Sequence, residues 1–216
     1  MRHVIGIILL EICLCSPMPT VRAAEFDLPT IDGSKPMNVI FILSDDHRYD
    51  VMSFLGHPWV ETPAMDAMAR DGVYFQYAMV TTSLCSPSRA SILTGQYSHK
   101  NGVIGLNGSI NESSPWSSVE LQKAGYQTAV FGKWHLKSRP KGFDQFKVTK
   151  GQGSWFDPTF FTQSSDWYPE RRNRETPKGT EKYQGYSSDV YTDQALNWLR
   201  NRDSKRPFCL MLHFKA

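Results

Sequence analysis

The chain has 216 residues, of which 40% are hydrophobic and 21% charged, and its formal net charge is +3. That length can bury the core of one domain, and the composition is that of a globular protein rather than a disordered, fibrous or membrane-embedded one. The near-balanced charge lacks the basic excess with which nucleic-acid-binding proteins neutralise phosphates.

Arg2 and His3 precede an apolar stretch from Val4 to Cys15, followed by Ser16, Pro17 and a small-residue site at Val21-Arg22-Ala23. This pattern predicts a signal peptide over residues 1–23, cleaved near Ala23. The stretch falls short of the roughly 20 apolar residues a membrane crossing requires, and Glu11 interrupts it, so no span is expected. Bulky Ile12 and Leu14 argue against lipid attachment at Cys13 or Cys15. The mature chain would be exported, to a periplasmic or extracellular space, or to a lysosome in an animal. It would keep only Cys85 and Cys209, so no disulfide framework is expected.

Residues 24–37 carry Pro29, Gly33 and Pro36 without an apolar period and read as a linker or edge segment before a domain over 38–216. Val39 to Leu43 is a β-branched apolar run, which predicts a strand buried on both faces of a parallel sheet. Thr62-Pro63 opens a predicted helix through Arg70 that Gly72 closes. Val73 to Val80 reads as a strand. Ser86-Pro87 starts a helix through Leu93, with Ser86 as its N-cap and Gly95 as its stop. Ser117 to Lys123 is a helix ended by Gly125, and Tyr126 to Phe131 is a strand.

Lys150 to Gln184 has no steady period and reads as a long surface excursion. Its Trp155, Trp167, Tyr168, Arg171, Arg172 and Arg174 offer aromatic faces for stacking and bidentate donors for anionic groups. They equally suit a solvated loop whose aromatics anchor it to the domain. Val190, Tyr191, Ala195 and Leu199 recur at helical spacing, and Pro207 to His213 is a further buried strand. Strands alternating with helices predict an α/β layered domain with a largely parallel sheet.

Three segments carry candidate chemistry. Asp45 and Asp46 follow the first strand, at the edge where open α/β sheets bind ligands. Two adjacent carboxylates suit a hard cation, calcium or magnesium, although an isolated Asp-Asp pair is more often a solvated turn. Cys85 lies just before a helix start, where unpaired backbone N–H groups and the helix dipole favour an anion. Arg89, one turn in, adds a positive charge suited to an oxyanion, whereas most lone cysteines are small buried thiols. Lys133 and His135 flank Trp134 after a predicted strand, so in extended backbone both face one side.

Asp45-Asp46 after the first strand, then Cys85-Ser86-Pro87-Ser88-Arg89 with its Leu93-Thr94-Gly95 ending, then Gly132-Lys133-Trp134-His135-Leu136 resemble, in that order along the chain, the formylglycine-dependent sulfatases. The likeness runs from about Asn38 to the chain end, and within the family 72–102 and 45–49 look closest to the N-acetylglucosamine-6-sulfatase group. It implies an alkaline-phosphatase-like fold and hydrolysis of sulfate monoesters on sulfated glycans. It further implies that a maturation enzyme recognising Cys85, Pro87 and Arg89 oxidises Cys85 to formylglycine, whose hydrate is the nucleophile. Asp45 and Asp46 would then bind calcium together with the residue at 85. Arg89 would steady the hydrate, Lys133 would bind sulfate oxygens, and His135 would assist hydrate breakdown.

Family members run on past Ala216 and draw more metal ligands, a Lys and a His from that later part, so the sequence reads as the N-terminal portion of such an enzyme, a fragment or a truncated product. Two competing readings are a phosphonate or phosphate monoester hydrolase of the same fold and a truncated, non-catalytic secreted glycan-binding protein.

Overall fold

In a computed structural model the described residues are 35–167 and 177–215. The signal peptide, most of the 24–37 segment, and Tyr168, Arg171, Arg172 and Arg174 lie outside them. Four parallel strands make the central sheet: β1 (Val39–Leu43), β2 (Gln127–Lys133), β3 (Gln145–Thr149) and β6 (Phe208–His213), in the order β1-β6-β2-β3. All four end at the same edge, because parallel pairing aligns their carboxyl ends.

The two central strands, β2 and β6, are buried throughout. Their side chains alternate between two cores, as a pleated strand requires. Ala129, Phe131, Phe208, Leu210 and Leu212 join Val190, Tyr191, Ala195 and Trp198 of α5 (Ser187–Asn201) on one face. Val130, Cys209 and Met211 meet Ala90 and Leu93 of α2 (Cys85–Thr94), together with Trp116 and Trp134, on the other. Burial raises the pKa of the Cys209 thiol, which keeps it protonated and inert among these apolar neighbours. Helices on both faces of a parallel sheet give the layered α/β architecture that the alternation of elements predicts.

Elsewhere the structure corrects the sequence reading. β1 is an edge strand, with Ile40 53% and Ile42 51% exposed, because β6 pairs with it on one side only among the described residues. The predicted strand at Val73 to Val80 is irregular, with Phe75, Tyr77 and Met79 exposed. An apolar run becomes a strand only where another strand supplies hydrogen-bond partners, and none lies beside it among the described residues.

The predicted helices are present as α1 (Pro63–Asp71), α2, α4 (Ser117–Lys123) and α5, and a short α3 (Ser98–Asn101) was not foreseen. Nor were β3 or the pair β4 (Thr159–Phe160) and β5 (Glu181–Lys182). The last two lie inside the predicted excursion, which is anchored by buried Phe160 and by Phe161, whose backbone pairs with Val148.

Candidate active site at the carboxyl edge of the sheet

Helix α2 begins at Cys85 itself, two residues earlier than predicted, with Leu84 as N-cap and Pro87 in the first turn. The first intrahelical bond runs from the Ser88 N–H to the Leu84 carbonyl at 2.9 Å. The N–H groups of Cys85 and Ser86 therefore have no helical carbonyl, and Pro87 has no N–H, so the positive end of the helix is at the cysteine. The Ser86 hydroxyl donates to the His135 carbonyl at 2.5 Å, tying this first turn to the segment after β2.

That segment departs from the extended backbone assumed for Lys133 and His135. Lys133 is the last residue of β2, whereas His135 has φ 51°, in the left-handed region. Strand alternation therefore does not relate the two side chains. Gly132, with φ 104°, is where the chain needs glycine, since a Cβ there would collide with the His213 carbonyl of the paired strand.

Asp45 is the hub of the site. It also sits at positive φ, 65°, a conformation that turns the chain sharply two residues after β1. The Lys133 ammonium donates to Asp45 Oδ2, and the Arg89 guanidinium lies 3.5 Å from Asp45 Oδ1. All three side chains are nearly buried, at 7% exposure for Asp45, 2% for Lys133 and 1% for Arg89. Lys133 Nζ is also 3.6 Å from Cys85 Sγ. Arg89 donates from Nη1 to the Lys133 carbonyl at 2.6 Å, so the two cations are fixed to each other as well as to the carboxylate.

Charge and burial act in opposition at Arg89 and together at His135. Burial pulls the Arg89 pKa below its ordinary value against the raising effect of Asp45; at such a pKa the group remains cationic. His135 is lowered by burial and by the positive charges of Lys133 and Arg89, which keeps the imidazole neutral.

His213, at the end of β6, is a member of this cluster that its apolar strand conceals. Its Nδ1 lies 3.1 Å from Arg89 Nη1, and its ring meets Phe41 edge-on. Burial, then the Arg89 charge, pushes its pKa down to about 3. It is therefore a neutral acceptor that holds the guanidinium in place, and Nε2 carries the proton. A lone histidine closing a predicted buried strand is the one signal the sequence offers for it.

Asp45, Asp46 and Cys85 each offer one ligand atom, all within 4.8 Å of one another. Two carboxylates of this kind, Asp46 exposed and Asp45 partly buried, fit a hard oxygen-seeking cation, and a residue at 85 bearing oxygen instead of sulfur would suit it better still. The six residues Asp45, Asp46, Cys85, Arg89, Lys133 and His135 thus converge at one sheet edge, within a layered α/β fold of the alkaline-phosphatase-like kind.

The Sulfatase family model matches residues 37–216, and the chain belongs to that family. An N-acetylglucosamine-6-O-sulfatase from Bacteroides thetaiotaomicron is 38% identical over 206 residues, covering 94% of this chain and 34% of that protein. A solved structure described as a complex with its substrate, D-glucosamine-2-N,6-O-disulfate, superposes with TM-score 0.75 and 39% identity over 84% of this chain and 35% of that one. The phosphonate monoester hydrolase of Agrobacterium radiobacter shares the fold at TM-score 0.57 and 22% identity, over 83% of this chain and 40% of that one. The chain thus spans about a third of the length of the Bacteroides sulfatase and of the disulfate-bound structure.

Proposed function

We propose that this chain is the nucleophile-bearing part of an exported sulfuric ester hydrolase acting on sulfated glycans, with 6-O-sulfated glucosamine as the substrate class. The observation that carries the reading is Cys85 at a helix start, 3.6 Å from a lysine that is itself paired to the first carboxylate of an Asp-Asp pair. In the proposed enzyme a maturation enzyme converts Cys85 to formylglycine, and the Cys85 sulfur marks the position of one hydroxyl of its hydrate. Asp45, Asp46 and the residue at 85 would hold calcium, with magnesium as the alternative hard cation.

Calcium and the formylglycine hydrate would supply charge that lowers the pKa of the attacking hydroxyl and a gem-diol able to expel sulfate. The remaining work falls to side chains of this chain. Lys133 and Arg89 present fixed positive charge to the oxygens of a sulfate ester. Because Asp45, the Lys133 carbonyl and His213 already hold these cations, they need little reorganisation as charge shifts during cleavage. His135, kept neutral by burial and by its cationic neighbours, presents an unprotonated imidazole that can accept a proton from the reacting group.

The test uses the full-length protein produced with its maturation enzyme. Peptide mass spectrometry should find an aldehyde at position 85, and an aryl sulfate should turn over much faster than the matching aryl phosphate or phosphonate. An unmodified thiol in an active sulfatase would overturn the nucleophile assignment. Faster phosphonate cleavage would favour the hydrolase whose fold is shared.

A further inference from the structure

A cavity of about 160 Å³ opens beside His135, walled by Leu106, Phe161 and Trp167, with Lys137 and Lys150 also on its lining. It adjoins the candidate active site. The Ser86 hydroxyl, one residue from Cys85, contacts the His135 carbonyl at 2.5 Å and the Leu106 carbonyl at 3.4 Å, so two residues of the cavity lining flank the first turn of α2. Lys150 follows β3, whose last residues pair with Gly132 and Lys133, which brings its backbone to the same sheet edge.

The walls are built rather than incidental. Trp167 donates from Nε1 to the Lys137 carbonyl at 2.7 Å and packs edge-on against Phe161, and the Lys150 ammonium lies 5.8 Å from the centre of the Phe161 ring. The volume is well below the roughly 300–1,000 Å³ of sites that enclose a drug-sized ligand. The cavity therefore holds one substituent rather than a saccharide. Lys137 and Lys150 both belong to this small lining, so it carries two positive charges suited to an anionic substituent.

Building on the proposed sulfatase activity, we infer that this cavity is a specificity pocket in which Lys137 and Lys150 bind a second sulfate group of the substrate. The scissile ester would lie at Cys85, and the second group, N-linked or O-linked on the same or the adjoining sugar, would enter beside His135. The pocket would make the enzyme selective for multiply sulfated glycans.

The experiment compares kcat/KM of the full-length, matured enzyme for D-glucosamine-2-N,6-O-disulfate and for N-acetylglucosamine-6-O-sulfate. The expected wild-type result is a preference for the disulfate, and replacing both lysines (Lys137→Met with Lys150→Met) should reduce that ratio at least tenfold. Lys150→Arg, which keeps the charge, should retain most of it. A wild-type preference for the N-acetyl sugar, or a ratio unmoved in a double variant that melts like the wild type, would overturn the inference. If the double variant does not fold, the wild-type ratio decides alone. Loss of turnover on every sulfate ester by the matured wild type would instead remove the sulfatase reading, and the pocket assignment with it.

Discussion

The Lys133 ammonium binds the Asp45 carboxylate across 88 residues of sequence, and the Arg89 guanidinium approaches the other oxygen of the same carboxylate. One buried anion thus serves two buried cations. Asp45→Asn would leave both cations uncompensated, whereas Lys133→Met leaves Asp45 with Arg89. In metal-free full-length protein, denaturant unfolding should show a loss of about 3–5 kcal/mol for Asp45→Asn, the usual cost of breaking a buried pair, and a distinctly smaller one for Lys133→Met. Equal losses would mean that Arg89 does not share the carboxylate.

Removal of a divalent cation gives a second prediction. Asp46 is exposed, while Asp45 is committed to the two cations, so a substitution at Asp46 separates metal binding from folding. Asp46→Asn in the matured full-length enzyme should raise the calcium concentration needed for half-maximal activity at least tenfold and leave the metal-free melting temperature within a degree or two of wild type. Chelation should abolish wild-type turnover, and calcium should restore it. An unchanged calcium requirement in Asp46→Asn would remove that residue from the ligand set.

Gly132 sets the spacing between the ends of β2 and β6, and therefore between Lys133 and His213. Gly132→Ala places a methyl group against the His213 carbonyl and forces a non-glycine residue to φ 104°. The backbone strain alone is about 1–3 kcal/mol. Activity should fall by more than this stability loss explains, because any shift of the β6 end also moves the histidine that holds Arg89. Wild-type kcat in Gly132→Ala would show that the strand ends are not coupled to the site.

The elements whose own residues specify them were legible in the sequence. The Thr62-Pro63 start of α1, the αL glycine at Gly95 that ends α2, and the apolar run of β6 are local signals. What was missed depends on partners. Gln145–Thr149 is too short to stand out, with only Phe146 and Val148 facing the core, and becomes a strand because β2 lies beside it. Val73 to Val80 has strand-like residues and no such neighbour among the described residues. The candidate site followed the same division. Cys85, Arg89, Lys133, His135 and the two aspartates sit in patterned segments, whereas His213 gains meaning only from Arg89, which is 124 positions away.

That histidine supplies the last prediction. His213 titrates near its ordinary value of about 6.5 in an unfolded chain and at about 3 when folded, pushed down by burial and then by the Arg89 charge. Between those values the unfolded chain binds the extra proton, so stability is complete above pH 6.5 and is lost as pH falls toward 3. The slope from this one group is up to about 1.4 kcal/mol per pH unit. His213→Gln, which offers Arg89 a neutral acceptor without a titrating ring, should flatten the fall in melting temperature between pH 6.5 and pH 4. It should still retain more activity than His213→Leu, which leaves Arg89 Nη1 with one acceptor fewer. Parallel stability profiles for wild type and His213→Gln would show that the acid sensitivity arises elsewhere. Equal activity in the Gln and Leu variants would show that the ring packs against Phe41 without holding the guanidinium.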